Sequence, residues 1–196
     1  MKRNHKYSEK VGKDNRTAHL NSDKVWIIKI TVMAFFLSLL LSLFSDAIIP
    51  NVPFILSLLI LILFIILGIV FDMVGVSVTV ADRKVFNSMA AKRIMGAKTA
   101  LWMIKNNSKV SSFCNDVVGD ICGIISGAAG ITIGVLIANI TGFSIFATNL
   151  VLTSIIASAT IGGKAVGKSY AINKANKILY RFAKFVDIIT FKFKKN

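Results

Sequence analysis

The chain has 196 residues, of which 55% are hydrophobic and only 17% charged, yet it carries a formal net charge of +15. The apolar residues come in long uninterrupted runs rather than amphipathic stripes, which excludes an ordinary soluble domain and points to an all-α integral membrane protein. The positive charge does not indicate a nucleic-acid partner, because the basic residues are distributed as a topology code and not as a patch.

Seven Lys/Arg fall in residues 1–24, seven in 81–109 and nine in 164–196, leaving Lys29 alone elsewhere. The connections Ser45 to Pro53 and Asn139 to Asn149 contain none. By the positive-inside rule the N-terminus, the central loop and the C-terminus are cytoplasmic, and four crossings of the cell membrane satisfy the pattern.

In chain order, residues 1–24 read as a polar, basic cytoplasmic tail that anionic lipid headgroups attract. Residues 25–51 form an extra N-terminal transmembrane helix, from about Val25 to Ala47, with a short outer loop. Ser45-Asp46-Ala47 has the look of a signal-peptidase site, but the long leader and Lys29 inside the apolar segment favour a retained helix. The second crossing runs from Val52 to Val80. From Asp82 to Asn106, Val85, Met89, Ile94, Ala97, Leu101 and Ile104 recur at helical spacing opposite Lys84, Lys92, Lys98 and Lys105, so residues 82–106 are expected to form amphipathic juxtamembrane helices. The third crossing uses Val110 to Ile140, with a tilt or break expected near Gly127-Ala128-Ala129-Gly130, and the fourth uses Leu150 to Val166. Residues 169–196 read as a basic amphipathic C-terminal helix, its apolar side carried by Ile178, Leu179, Phe182, Phe185, Val186 and Ile189. Trp102, Tyr170 and Tyr180 suit the headgroup boundary.

Asp116 and Asp120 lie four residues apart inside the third apolar run. On a helix they share one face, where two carboxylates can converge on a cation. A charge at bilayer depth costs roughly 2.5–3.5 kcal/mol on insertion scales, so such residues face a bundle interior, a cavity or a partner charge. Gly119, Gly123 and Gly127 form a small-xxx-small stripe on that face and invite a second helix. The alternative is that the aspartates pair with lysines of a neighbouring helix and lock the bundle.

Other chemistry finds little support. Cys114 and Cys122 are too far apart on one helix for a mutual disulfide, and no CxxC or HExxH constellation occurs. Gly162-Gly163-Lys164 and Gly167-Lys168-Ser169 have neither the spacing of a phosphate loop nor a preceding strand. The chain is not expected to be an enzyme.

Three segments carry a family resemblance: Phe71-Asp72-Met73-Val74-Gly75-Val76-Ser77-Val78, Arg93-Ile94-Met95-Gly96-Ala97-Lys98, and Ser111-Ser112-Phe113-Cys114-Asn115-Asp116-Val117-Val118. Together with Gly163-Lys164-Ala165-Val166-Gly167-Lys168-Ser169-Tyr170-Ala171, this order resembles the transmembrane domain of the CorB/CorC/CNNM family of magnesium and cobalt transport proteins, over roughly residues 55–188. The resemblance implies a CorB-like transmembrane domain over residues 52–168, a homodimer in the bilayer and a role in divalent-cation (Mg²⁺) transport or homeostasis; the cytoplasmic CBS domains that follow this domain in the family are not expected here. The family's acidic position in its first helix falls on Gly75, leaving Asp72 and Ser77 as substitutes. Its second-helix asparagine falls on Asn115, with Asp116 and Asp120 beside it. These five residues are the implied Mg²⁺ ligands, hard oxygen donors suited to that ion.

The family's cation-binding glutamate falls on Lys164 and the following proline on Gly167. An ammonium there has the wrong sign and no acceptor for a metal, so Lys164 is also a possible charge partner of the aspartates. In that alternative the chain is a non-transporting relative, in which an Asp–Lys network replaces the metal and the protein acts as a structural or regulatory membrane partner. The topology has a direct check in cysteine labelling. Cysteines at Ser88 and Asn196 are expected to be protected from an impermeant reagent in intact cells and one at Thr141 to react; labelling of Ser88 from outside would overturn the four-crossing arrangement.

Overall fold

A computed structural model describes residues 25–43, 47 and 52–193, with side chains described as far as 190. The basic tail 1–24, most of the first outer loop and Asn196 lie outside the described residues. The described chain is helical, without strands, and four helical runs are long and apolar enough to cross a membrane: Val25–Leu43, Phe54–Val80, Asn107–Thr141 and Ile145–Asn173.

The chain falls into two units that divide between Leu40 and Leu41. Helix α1, Val25–Leu43, begins in the first unit. In it the Thr31 hydroxyl donates to the Ile27 carbonyl at 2.9 Å, a back-bond that lets a polar side chain sit in an apolar helix.

The second unit is built on α2 (Phe54–Val80), which starts directly after Pro53. Proline cannot extend a helix upstream, and its carbonyl accepts the N–H groups of Leu56 at 2.9 Å and Ser57 at 3.1 Å. Two short helices follow, α3 (Arg83–Ala91) and α4 (Ala97–Lys105). Asp82 caps α3 by accepting the Lys84 N–H at 2.8 Å. Its own N–H donates to Asn176 Oδ1 at 2.9 Å, which ties this corner to the last helix. A further helical rod comprises α5 (Asn107–Ser112), a π-helical segment (Phe113–Gly119) and α6 (Asp120–Thr141). It stops at Gly142, whose φ of +74° suits glycine and whose N–H returns to the Ala138 carbonyl at 2.8 Å. Helices α7 (Ile145–Asn173) and α8 (Ala175–Phe193) complete the chain.

Helices α2, α6 and α7 pack against one another as a three-helix bundle. Each pair meets through glycine. Gly163 and Gly167 of α7 face Ile69 and Met73 of α2; Gly68 of α2 faces Cys122 and the backbone of Gly119; Gly130 and Gly134 of α6 face Ile156 and Asn149 of α7. Removing the side chain lets two backbones approach, which is how apolar helices gain packing where no hydrophobic force drives them together. One core gathers Leu61, Ala129, Ile133 and Ile156. The other gathers Val74, Val78, Phe86, Ala100, Met103, Cys114, Leu179 and Ala183, so α3, α4 and α8 wrap the C-terminal end of α2.

Several expectations are corrected. Helix α6 runs unbroken through Gly127-Ala128-Ala129-Gly130, and the irregularity lies earlier, in the π segment. The stripe of Gly119, Gly123 and Gly127 is not a continuous contact, because space is open at Gly123 and Gly127. The stripe runs one residue off the buried side of α6, on which Cys122 lies. That face is instead continued by Ser126, Gly130 and Gly134, all buried. The fourth apolar helix begins before Leu150 and passes Val166 to reach Asn173, carrying Lys164 and Lys168 within it. The helices expected over 82–106 are present as α3 and α4, separated where Arg93 (φ +54°) and Gly96 (φ +87°) adopt left-handed backbone.

Gly96 is doubly constrained. A Cβ there would sit 2.9 Å from the Lys184 backbone nitrogen and 3.0 Å from its Cα, in addition to the positive φ. Gly96→Ala is expected to lower the thermal unfolding midpoint of the detergent-purified protein, the backbone term alone costing roughly 1–2 kcal/mol. Gly123→Ala, made into open space, is expected to leave it unchanged or raise it; equal effects of the two substitutions would contradict this packing.

Candidate functional site

Three helices bring their charged residues to one level. Asp72, 3% exposed, projects from the middle of the polar-tolerant half of α2. Asn115 and Asp116 belong to the π segment, Asp120 opens α6, and Lys164 and Lys168 stand one turn apart on α7. Lys164 Nζ donates to Asp120 Oδ1 at 3.0 Å. Lys168 Nζ lies 3.9 Å from Asp72 Oδ2, an ion pair too long to be a hydrogen bond. Lys168, Lys164, Asp120 and Asp116 are all within electrostatic reach of Asp72.

The π segment sets the acids around this level. Such segments are rare, and they occur mostly as single-turn bulges in α-helices, often at functional sites. Here it presents the Asn115 amide to Gly75 of α2 so closely that a Cβ on residue 75 would collide with it. Asn115 Nδ2 reaches Ser111 Oγ at 3.4 Å, while Asn115 Oδ1 is buried without a hydrogen-bond partner. Asp72 Oδ2 is likewise buried and accepts no hydrogen bond. Asp116 is exposed and, among the described residues, makes no hydrogen bond or ion pair.

The implied ligand set is therefore partly assembled. Asp72, Asn115, Asp116 and Asp120 converge with Lys164 in the same region. Ser77 is buried farther along α2, and its hydroxyl donates to the Met73 carbonyl at 2.8 Å. Among the described residues no three Asp, Glu, His or Cys side chains are gathered closely enough to hold a metal ion. Mg²⁺ requires near-octahedral oxygen coordination, whereas two of the three carboxylates here face ammonium groups. With both lysines in place the residues do not fit a Mg²⁺ cage.

Sequence reasoning left Lys168 out of the site. Its signal was its four-residue spacing from Lys164, which puts both ammonium groups on one side of a helix. Spacing also could not decide which aspartate Lys164 meets, and the structure selects Asp120 over Asp116. A second polar point lies away from this cluster, where Asn149 Oδ1 is buried against Gly134 without a hydrogen bond.

The sequence matches no protein-family model, and comparison with curated proteins and with solved structures returns no match.

The pairing is open to a double-mutant cycle. Asp120→Asn and Lys164→Gln are each expected to destabilise the protein in lipid nanodiscs, and the double variant to recover part of the loss. The coupling should be about 1 kcal/mol, modest because the Asp120 side chain is 64% exposed. Coupling of Lys164 with Asp116 instead of Asp120 would contradict the geometry.

Proposed function

We propose that this chain is a multi-pass cell-membrane protein built on a CorB-like transmembrane domain, with both termini cytoplasmic, and that it serves divalent-cation homeostasis as a non-transporting partner. The observation that carries this reading is the 3.0 Å contact between Lys164 and Asp120, reinforced by Lys168 beside Asp72. A cation carrier needs acceptors that are ionised and free to exchange water for protein oxygen. Here the ammonium groups stand where a cation would stand, and they supply charge without supplying acceptors. Tethered cations of this kind stabilise the acids permanently. They leave the bundle as a structural or regulatory element that associates with itself or with another membrane protein.

The second reading is Mg²⁺ transport by this chain itself, and specific observations favour it. Asn115 Oδ1 and Asp72 Oδ2 are buried acceptors without hydrogen bonds, and the Asp116 carboxylate has no ion pair among the described residues. Two ammonium groups against three carboxylates leave one negative charge when all five are ionised. If Lys164 swings towards the headgroups, as long basic side chains do, the Asp120 carboxylate is freed to join these oxygens around a hydrated cation.

Flux measurements separate the two. The parent protein in proteoliposomes is expected to show no Mg²⁺ or Co²⁺ uptake above protein-free vesicles. Asp116→Asn is then expected to be without effect on flux. Uptake by the parent that Asp116→Asn or Asp120→Asn abolishes would overturn the non-transporting reading in favour of transport.

A further inference from the structure

We propose that the turn joining α3 and α4 is a binding site for the phosphate of an anionic phospholipid headgroup. A half-open cleft of about 490 Å³ lies there, lined among others by Arg93, Ile94, Met95, Gly96, Lys98 and Asp187. Asp187, from α8, is already committed: Oδ2 accepts the Gly96 N–H at 2.8 Å and Oδ1 accepts the Thr99 hydroxyl. The first turn of α4 thus has its anion, and the α4 terminus is not the site. The free chemistry belongs to the cations. Arg93 and Lys98 are exposed, and among the described residues neither side chain makes a hydrogen bond or an ion pair.

The backbone adds a second, independent observation. Arg93 has a φ of +54°, the only positive value among the described non-glycine residues. Glycine adopts that conformation without steric penalty, and the chain uses glycine for the other left-handed position of the same turn, Gly96. An arginine there lines the cleft, and its planar fork of donors matches phosphate oxygens. Side chains kept in sparsely populated backbone regions cluster at ligand clamps.

The apolar members of the turn identify the source of the phosphate. Ile94 and Met95 are 37% and 48% exposed beside the two cations. A free phosphate has no use for them, whereas a lipid offers acyl chain below the headgroup, the pairing that interfacial segments exploit. The bilayer is also near. Between the end of α2 and the turn there is only the nine-residue α3, about 14 Å of helix, and α4 leads straight back to the next membrane-length rod. The proposal rests on the membrane reading given above and adds a defined lipid contact to it.

The test uses the full chain, purified in neutral detergent, with phosphatidylglycerol, phosphatidylcholine or inorganic phosphate added. A photoactivatable phosphatidylglycerol reports the site of contact by peptide mass mapping. Phosphatidylglycerol is expected to raise the thermal midpoint and to cross-link within residues 90–98, while the other two additives do neither. The double variant Arg93→Gly, Lys98→Gln is expected to hold phosphatidylglycerol about thirtyfold more weakly, the effect of losing two basic residues at a membrane surface. Glycine accepts the backbone of residue 93, so the lipid-free midpoint of the variant should not fall. A variant that keeps the cross-link, or an equal shift from inorganic phosphate, would overturn the lipid site while leaving the membrane reading intact. Release of the parent from cell membranes by alkaline carbonate would overturn the membrane reading and the proposal with it.

Discussion

The close approach of α7 to α2 determines where every charge in the bundle can go. Gly163 and Gly167 meet Ile69 and Met73, and each glycine is followed immediately by a lysine. The glycines let the helices pack near enough for the next residue round α7 to reach across, so Lys164 arrives at Asp120 and Lys168 at Asp72. A bulkier residue at either glycine would push α7 outwards and leave carboxylates in an apolar helix without their counter-charges. Packing and electrostatics are therefore one constraint at this level of the fold.

That constraint explains why a chain with so few acids places three of them inside apolar runs. Of the nine Asp and Glu in the sequence, Asp72, Asp116 and Asp120 lie in helices of membrane-spanning length. An ion pair in a low-dielectric interior repays its desolvation only with good geometry and further hydrogen bonds. The Lys164–Asp120 contact is close but exposed on the Asp120 side, so little desolvation opposes it, while the longer Lys168–Asp72 pair leaves a buried carboxylate oxygen without a hydrogen bond. The cluster is best understood as a specificity device in the proposed membrane partner: it fixes the register of α2, α6 and α7 more than it adds stability.

Much of this was legible in the residues. Uninterrupted apolar runs announced four membrane-length helices, and Pro53 and Gly142 punctuated them by mechanisms that act locally. Asp116 and Asp120 could be singled out by type and position, whereas Asp72, Asn115 and Lys164 came only through the family resemblance. What could not be read was anything set by contact between helices. The π segment was not read from the sequence, because the one-residue shift of phase it introduces is lost in a run whose apolar residues are not confined to one face. The glycine pattern was misleading at Gly123 and Gly127, which lie one residue off the buried side of α6 formed by Cys122, Ser126, Gly130 and Gly134. The choice of Asp120 by Lys164 depends on the crossing of α6 and α7, and Arg93 in left-handed backbone is visible only in the folded turn.

Neutralisation of the acids by tethered ammonium groups has one decisive observable, the proximity of Lys164 Nζ to Asp120 Cγ in a bilayer. Dipolar recoupling between these two labelled atoms by solid-state NMR, with the protein in lipid membranes, measures it with and without saturating Mg²⁺. A strong coupling that Mg²⁺ leaves unchanged is the expected result. Loss of that coupling on adding Mg²⁺, with a shift of the Asp120 carboxylate resonance, would mean that the divalent ion displaces the lysine and would contradict the charge-paired bundle.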